Sequence, residues 1–144
     1  MDKGAIVQGV IDQLRDQHAT LERAAEAAAE GATHEEAKPE NDKDTRALEA
    51  SYLAGAQAAK ARELLAAMNV LRFLPLRASS TVELGSLVRV GSRAYIVLPH
   101  GGGLKVQNIT VVTPASPIGA ALMGQSEGDI VEIGGREIAI DEVT

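Results

Sequence analysis

The chain has 144 residues, 45% of them hydrophobic, which suffices for one ordinary domain or two small ones with a buried core. Two tyrosines, one phenylalanine and no cysteine exclude a pocket built from several rings, disulfide bonds, thiolate zinc sites and cysteine nucleophiles. The 14 basic and 20 acidic residues give a net charge of −6, which argues against independent binding of duplex DNA.

The first half of the sequence predicts two long amphipathic helices. Apolar residues recur three and four positions apart along the first one: Val7, Val10, Leu14, Leu21, Ala24 and Ala28. This pattern ends at Gly31, and glycine commonly terminates helices. The second predicted helix begins after Pro39 and carries a similar stripe: Leu53, Leu64, Ala67, Leu71 and Leu74. The two stripes predict an antiparallel helical hairpin (coiled coil) over residues 1–76, about 40 Å long at ~1.5 Å per residue.

The second half of the sequence has the composition of a small β domain. Val, Ile and Gly replace Ala, and a linker begins at Pro75, so we place the domain boundary after residue 76. Predicted strands cover residues 82–84, 87–90, 94–98, 109–112, 130–133 and 137–140. Ser116 and Pro117 open a short helix that ends before Gly124. The sequence therefore predicts an α+β fold, in which residues 77–144 form a mostly antiparallel β domain with one short helix.

Two parts of the sequence are similar to one known protein family. The first is the run Ser116-Pro117-Ile118-Gly119-Ala120-Ala121-Leu122-Met123-Gly124, followed by Glu127-Gly128-Asp129-Ile130-Val131-Glu132-Ile133. The second is the pair Glu40-Asn41 with the predicted helix that follows it. Both resemble segments of the Gre transcript-cleavage and elongation factors (GreA- and GreB-like). That family joins an N-terminal antiparallel coiled coil to an FKBP-like β domain, which is the order of parts predicted for this chain.

The resemblance implies a transcription elongation factor that binds RNA polymerase. In the Gre family the C-terminal domain docks at the rim of the polymerase's secondary channel, and the coiled-coil tip reaches the active site. The resemblance assigns polymerase binding to residues of the C-terminal motif: Ser116, Pro117, Ile118, Leu122, Met123 and Gly124. The coiled-coil tip would contact the 3′ end of the nascent RNA through the channel.

The resemblance also assigns a role to the acidic tip near residues 33–46. Glu36 and Glu40 would hold a Mg²⁺ ion shared with the polymerase and so assist cleavage of backtracked RNA, because Mg²⁺ in such sites takes one or two carboxylates. The factor would have no cofactor of its own and would not be an enzyme, since it stimulates the polymerase's own cleavage. No stretch of the sequence is apolar enough to span a bilayer, and we expect a cytoplasmic monomer that does not bind membranes.

The tip sequence leaves two other functions open. Gre factors carry a carboxylate three positions before the Glu-Asn pair, where this chain has Ala37, and Glu36 lies one position away. A Gre-like or Rnk-like regulator would bind polymerase without stimulating cleavage. An oligomerising adaptor, in which the hairpin pairs with a second copy, belongs to a different functional class.

A further pair of motifs resembles parts of serine esterases. These are His100-Gly101-Gly102-Gly103 and Gly124-Gln125-Ser126-Glu127-Gly128. The esterase fold needs a strand before the serine and a histidine after it. Here a predicted helix precedes Ser126 and no histidine follows His100, so the sequence argues against hydrolysis. It predicts instead that the glycines after His100 form a mobile loop.

Overall fold

The computed structural model describes residues 2–36 and 42–144, with side chains other than those of residues 28–29 and 31–54. It contains two long helices, α1 (Lys3–Glu36) and α2 (Asp42–Arg72). The predicted end of the first helix at Gly31 is wrong, because one glycine in an alanine-rich helix costs only about 1 kcal/mol and does not stop it. Within the described residues, neither helix is long and apolar enough to cross a membrane.

The chain divides into two compact units. One is formed by Met1–Asp12 together with Ala67–Thr144, and the other by Gln13–Ala66. Each long helix therefore contributes residues to both units. This division follows packing and does not test which segments fold alone, so the predicted domain boundary after residue 76 stays a prediction.

In the unit Gln13–Ala66, the two helices lie side by side in antiparallel order. Both helices line a groove of about 450 Å³: Asp16, Gln17, Thr20 and Leu21 belong to α1, and Lys60 and Leu64 to α2. Leu14 and Leu64 are only 4% and 6% exposed, as the apolar stripes predict, and Leu21 is half-buried. The predicted pairing is confirmed for these residues, whereas the side chain of Leu53 lies outside the described part.

The unit that contains residues 67–144 carries the β structure. Its described strands are β1 (Leu87–Val90), β2 (Arg93–Val97), β3 (Lys105–Val106), β4 (Ile109–Val112), β5 (Ile130–Ile133), β6 (Arg136–Ala139) and β7 (Glu142–Val143). A short helix, α3 (Pro117–Leu122), follows β4 in the chain. Five strands form one sheet in the order β3-β4-β2-β1-β7, and β5 pairs with β6 as a separate hairpin. Only the β2–β4 pairing is parallel among these strands, so the predicted α+β, mostly antiparallel fold is confirmed.

Some local strand predictions differ from the structure. Residues 82–84 form no strand, since Thr81 makes only an isolated bridge to Ser126 and Val82 hydrogen-bonds to the turn after α3. The sequence does not predict β3 or β7, because two residues are too few to show an alternating pattern.

One face of the five-stranded sheet packs on α3 and on the β5–β6 hairpin. Val88 and Tyr95 of the sheet belong to the same buried cluster as Leu122 of α3 and Val131 of β5. The alternation of side chains along β1 and β2 places these residues on a single face. The short helix is therefore attached to the body of this unit through its own apolar residues.

The opposite face of the sheet is covered by the first turns of α1. A Cβ atom added to Gly9 of α1 would lie 2.6 Å from Val106 Cγ1 of β3. A Cβ atom added to Gly101 would lie 2.8 Å from Val10 Cγ1 and 3.8 Å from Val111 Cγ1. Glycine at both positions permits this close approach. The loop therefore packs against α1 at Gly101, and its mobility stays a prediction.

Lys3 adds polar links at the start of α1. Its ammonium group donates hydrogen bonds to the carbonyl oxygens of Arg77, at 2.9 Å, and Thr144, at 3.0 Å. Burial lowers the pKa of Lys3, and the charge of Glu83 acts in the opposite direction. The first turn of α1 is thereby joined to two distant segments of the same unit.

The packing of α2 can be tested with two adjacent leucines. Leu64→Ala should lower the free energy of unfolding by about 2–5 kcal/mol, because it removes a buried side chain and leaves a cavity. The matched control is Leu65→Ala, since Leu65 is 51% exposed and its loss should cost no more than ~0.5 kcal/mol. Chemical denaturation of the full chain, followed by circular dichroism, measures both. Equal losses would contradict the packing described for α2.

Candidate functional site

The motif at residues 116–124 forms a short helix with a capped N-terminus. The Ser116 hydroxyl accepts a hydrogen bond from the Gly119 N–H, at 3.0 Å, and donates one to the Thr113 carbonyl, at 2.7 Å. Pro117 occupies the first helical position, where no N–H donor is needed. The predicted start of this helix is therefore confirmed.

Gly119 allows the helix to lie directly against the preceding loop. A Cβ atom at this position would lie 1.8 Å from the Thr113 carbonyl oxygen and 2.9 Å from Ser116 Oγ. Backbone cannot yield to such an overlap as a flexible side chain would, so the close contact requires glycine here. Ser116, Gly119 and Thr113 together fix the position of α3.

The turn that follows α3 forms backbone hydrogen bonds with Val82, which precedes β1 in the chain. Gly124 has a left-handed backbone (φ 79°), and its N–H donates to the Val82 carbonyl at 2.9 Å. The Val82 N–H donates in return to the Gln125 carbonyl at 2.8 Å. The Asp129 carboxylate accepts a hydrogen bond from the Ser126 N–H at 2.8 Å and holds the next turn. Composition gives no sign of the Val82 contacts, since they join segments far apart in the sequence.

The structure separates the predicted partner-binding residues into buried and accessible ones. Leu122 is 0% exposed and its side chain fills the core, where it supports α3 from within, and its assignment to partner binding stays a prediction. Ile118 and Met123 are half-buried and pack against the same core cluster. Pro117 and Gly124 are exposed.

The accessible part of α3 has the composition of a binding surface and lacks the side chains that catalysis would need. Its sequence from Pro117 to Leu122 contains no acidic, basic or nucleophilic side chain. Ala120 is exposed between Pro117 and Gly124, so small residues make up the outer surface. Ile118 and Met123 supply apolar edges. A partner could therefore approach the backbone of α3 closely and bury apolar area there.

The predicted tip carboxylates lie at or beyond the limits of the described residues. Glu36 is the last residue of α1, but its side chain is outside the described set, and Glu40 lies wholly outside it. Their assignment to Mg²⁺ stays a prediction. Among side chains that the structure does describe, no three His, Asp or Glu residues are grouped so that they could hold a metal ion.

Comparison with known proteins yields structural neighbours only. No protein-family model matches the sequence, and no curated protein matches it. The chain is similar to the GreA factor homolog 1 (Gfh1) protein of Thermus thermophilus, at 18% identity and a TM-score of 0.40, over 93% of this chain and 94% of that one. It is also similar to Thermus aquaticus Gfh1, at 17% identity and a TM-score of 0.38, over 92% of each chain.

The contact at Gly119 can be tested by adding one methyl group. Gly119→Ala should destabilise the full chain by at least about 1–3 kcal/mol, because the new Cβ overlaps the Thr113 carbonyl. The matched control is Gly55→Ala in α2, where nothing lies within 4 Å of the added Cβ and helix propensity should raise stability by roughly 0.5–1 kcal/mol. Thermal denaturation measures both. A Gly119→Ala variant as stable as the parent chain would contradict the geometry of α3.

Proposed function

We propose that this chain is a Gre-like transcription elongation factor that binds RNA polymerase and inserts its helical tip into the secondary channel. The observation that carries the proposal is the Gre-like motif at residues 116–133. In the structure this motif forms the capped helix α3, its bonded exit turn and strand β5. The helical pair and the β unit supply both parts that such a factor needs.

The α3 surface supports the binding half of the proposal. Specific protein interfaces combine an apolar centre with a polar rim. Ile118 and Met123 provide apolar area beside the exposed Pro117. Ser116 and Gly119 keep the helix in one position, so little ordering is required when a partner binds.

The acidic tip carries the catalytic half of the proposal. Glu40 and Glu36 would supply carboxylate oxygens, the ligands that Mg²⁺ prefers, to an ion shared with the polymerase. The bound ion would stabilise the charge that develops when the polymerase cleaves backtracked RNA. This chain would then bring carboxylate ligands to the polymerase active site on its helical tip, and the polymerase would remain the enzyme.

A second function, polymerase binding without cleavage, is favoured by one sequence feature. Ala37 stands where Gre factors carry a carboxylate, and Asp42-Lys43-Asp44 follows Asn41 in place of the family's acidic and aromatic pair. A factor with an incomplete set of Mg²⁺ ligands would occupy the secondary channel and regulate the polymerase by blocking that channel.

A stalled, backtracked elongation complex distinguishes these functions. The full chain is added with Mg²⁺, and both the RNA and the bound protein are measured. We expect shortened transcripts whose 3′ ends can be extended again. A stable complex with unchanged RNA would select the regulator without cleavage. If the chain does not bind the complex at all, the proposed function is wrong.

The role of the tip can be tested with single carboxylate substitutions. Glu40→Ala should slow cleavage at limiting Mg²⁺, because the ion loses one of its few protein ligands, and raised Mg²⁺ should partly restore the rate. Glu36→Ala should be the next most harmful change. Glu26→Ala, at an exposed site within α1, is the matched control and should leave cleavage unchanged. Binding of polymerase should survive all three substitutions. If the Glu40→Ala variant stimulates cleavage at the parent rate under limiting Mg²⁺, the proposal that Glu40 is a Mg²⁺ ligand is wrong.

A further inference from the structure

A groove of about 470 Å³ lies between the β1–β2 turn and the β5–β6 hairpin, within the unit that contains residues 67–144. Its apolar lining is provided by Val90, Tyr95, Ile133 and Ile138. Its charged lining is provided by Arg93 and Arg136, both exposed. No residue of the Gre-like helix α3 lines it.

Strand register places both arginines on faces that are otherwise apolar. Arg93 pairs with Val90 across the β1–β2 hairpin and lies two positions from Tyr95, so it shares their face of the sheet. Arg136 pairs with Ile133 across the β5–β6 hairpin, on the face that carries the buried residues of that hairpin. Arg93 and Arg136 therefore lie on the faces that line the groove, at the edge of the core, with exposed side chains.

Neither arginine has an acidic partner among the residues that the structure describes. Other arginines of the same unit do: Arg77 lies 3.3 Å from the Glu83 carboxylate, and Arg89 lies 3.9 Å from Asp141 and 3.6 Å from Glu142. A chain with 20 acidic residues has ample carboxylates to pair with. The two arginines of the groove are therefore available to an external anion.

The rest of the groove argues for an anion attached to an apolar group. The Gly91 N–H already donates to the Asp141 carboxylate, at 2.6 Å, so the turn itself offers no free backbone donor at that position. Ile138 is the most accessible apolar residue of the lining, and a bare phosphate would leave it without an apolar partner. Tyr95 is 3% exposed, so its ring cannot stack on a base.

We propose that this groove binds an acidic peptide segment of a partner protein, in which Asp or Glu flanks one large apolar residue. The apolar side chain of the peptide packs against Ile138, since Tyr95 and Ile133 are only 3% and 7% exposed. The flanking carboxylates pair with Arg93 and Arg136, because guanidinium and carboxylate groups form strong, bidentate hydrogen bonds. The inference goes beyond the proposed function, since α3 does not line the groove and Ile133 is the one residue of the Gre-like motif that does.

The proposal is tested by fluorescence anisotropy with the full chain. The probes are fluorescein-labelled decapeptides in which one Leu, Ile or Phe is flanked by Asp and Glu. Each probe has a charge-reversed twin with Lys at the acidic positions and a second twin with Ser at the apolar position. We expect saturable binding of acidic peptides, at least tenfold tighter than binding of either twin. Binding should weaken as salt is raised, because exposed ion pairs are screened.

Two single substitutions locate the binding site. Arg93→Gln and Arg136→Gln should each weaken peptide binding about tenfold, and together they should abolish it. Arg72→Gln, at an exposed arginine outside the groove, is the charge-matched control and should bind as the parent does. Unchanged melting temperatures of the variants show that the fold is retained.

Four results would overturn the proposal. The first is that no acidic peptide binds more tightly than its Lys twin, and the second is full binding by the double variant. The third is tighter binding of a single-stranded RNA oligonucleotide or inorganic phosphate through the same two arginines. The fourth is a concentration-dependent dimer in sedimentation that the double substitution abolishes, which would identify a second copy of this chain as the occupant.

Discussion

The β unit depends on the close packing of the first turns of α1 against the five-stranded sheet. Gly9 lies against Val106, and Gly101 lies against Val10. A Cβ atom at either glycine would fit only if the valine side chain moved. This contact joins residues that are about a hundred positions apart in the sequence. It covers the face of the sheet opposite to α3, and Ile6 and Val10 are 0% exposed as a result. Without this cover, that face would expose a contiguous apolar surface to water.

This packing groups the ends of both long helices with the β structure. Sequence composition separates the helical half from the β half near residue 76, because alanine gives way to valine and isoleucine there. The structure assigns Met1–Asp12 and the end of α2 to the β unit. A fragment that begins at Arg77 would lack Ile6, Val10 and Leu71, all buried in the full chain. Binding studies of the β unit therefore need the full chain.

The fold was largely predictable from local patterns. β1, β4 and β5 begin and end where alternation of Val and Ile predicts, and Ser116 and Pro117 mark the start of α3. The two local predictions that fail do so for different reasons. Near Gly31 the helix propensity of the surrounding alanines outweighs one glycine, so α1 continues. At Val82 tertiary contacts decide, because its backbone exchanges hydrogen bonds with Gln125 and Gly124 rather than with a sheet.

The candidate sites were less predictable than the fold. The motif located α3, but only packing shows that Leu122 is core and that Pro117 is accessible. Arg93 and Arg136 are 43 positions apart in the sequence, so their shared groove depends on strand register and on the packing of two hairpins. No local pattern reveals such a pair. The tip carboxylates stay predictions from sequence resemblance.

The central claim, that α3 faces RNA polymerase, is tested most directly by site-specific photocrosslinking. A benzoylphenylalanine side chain is introduced at the exposed position of Ala120, and separately at Arg72 as a control outside α3. Each full-length variant is mixed with purified RNA polymerase and irradiated, and the crosslinked products are quantified. The account predicts a polymerase crosslink from position 120 that greatly exceeds that from position 72. No crosslink from position 120, or equal yields from both positions in folded protein, would contradict it.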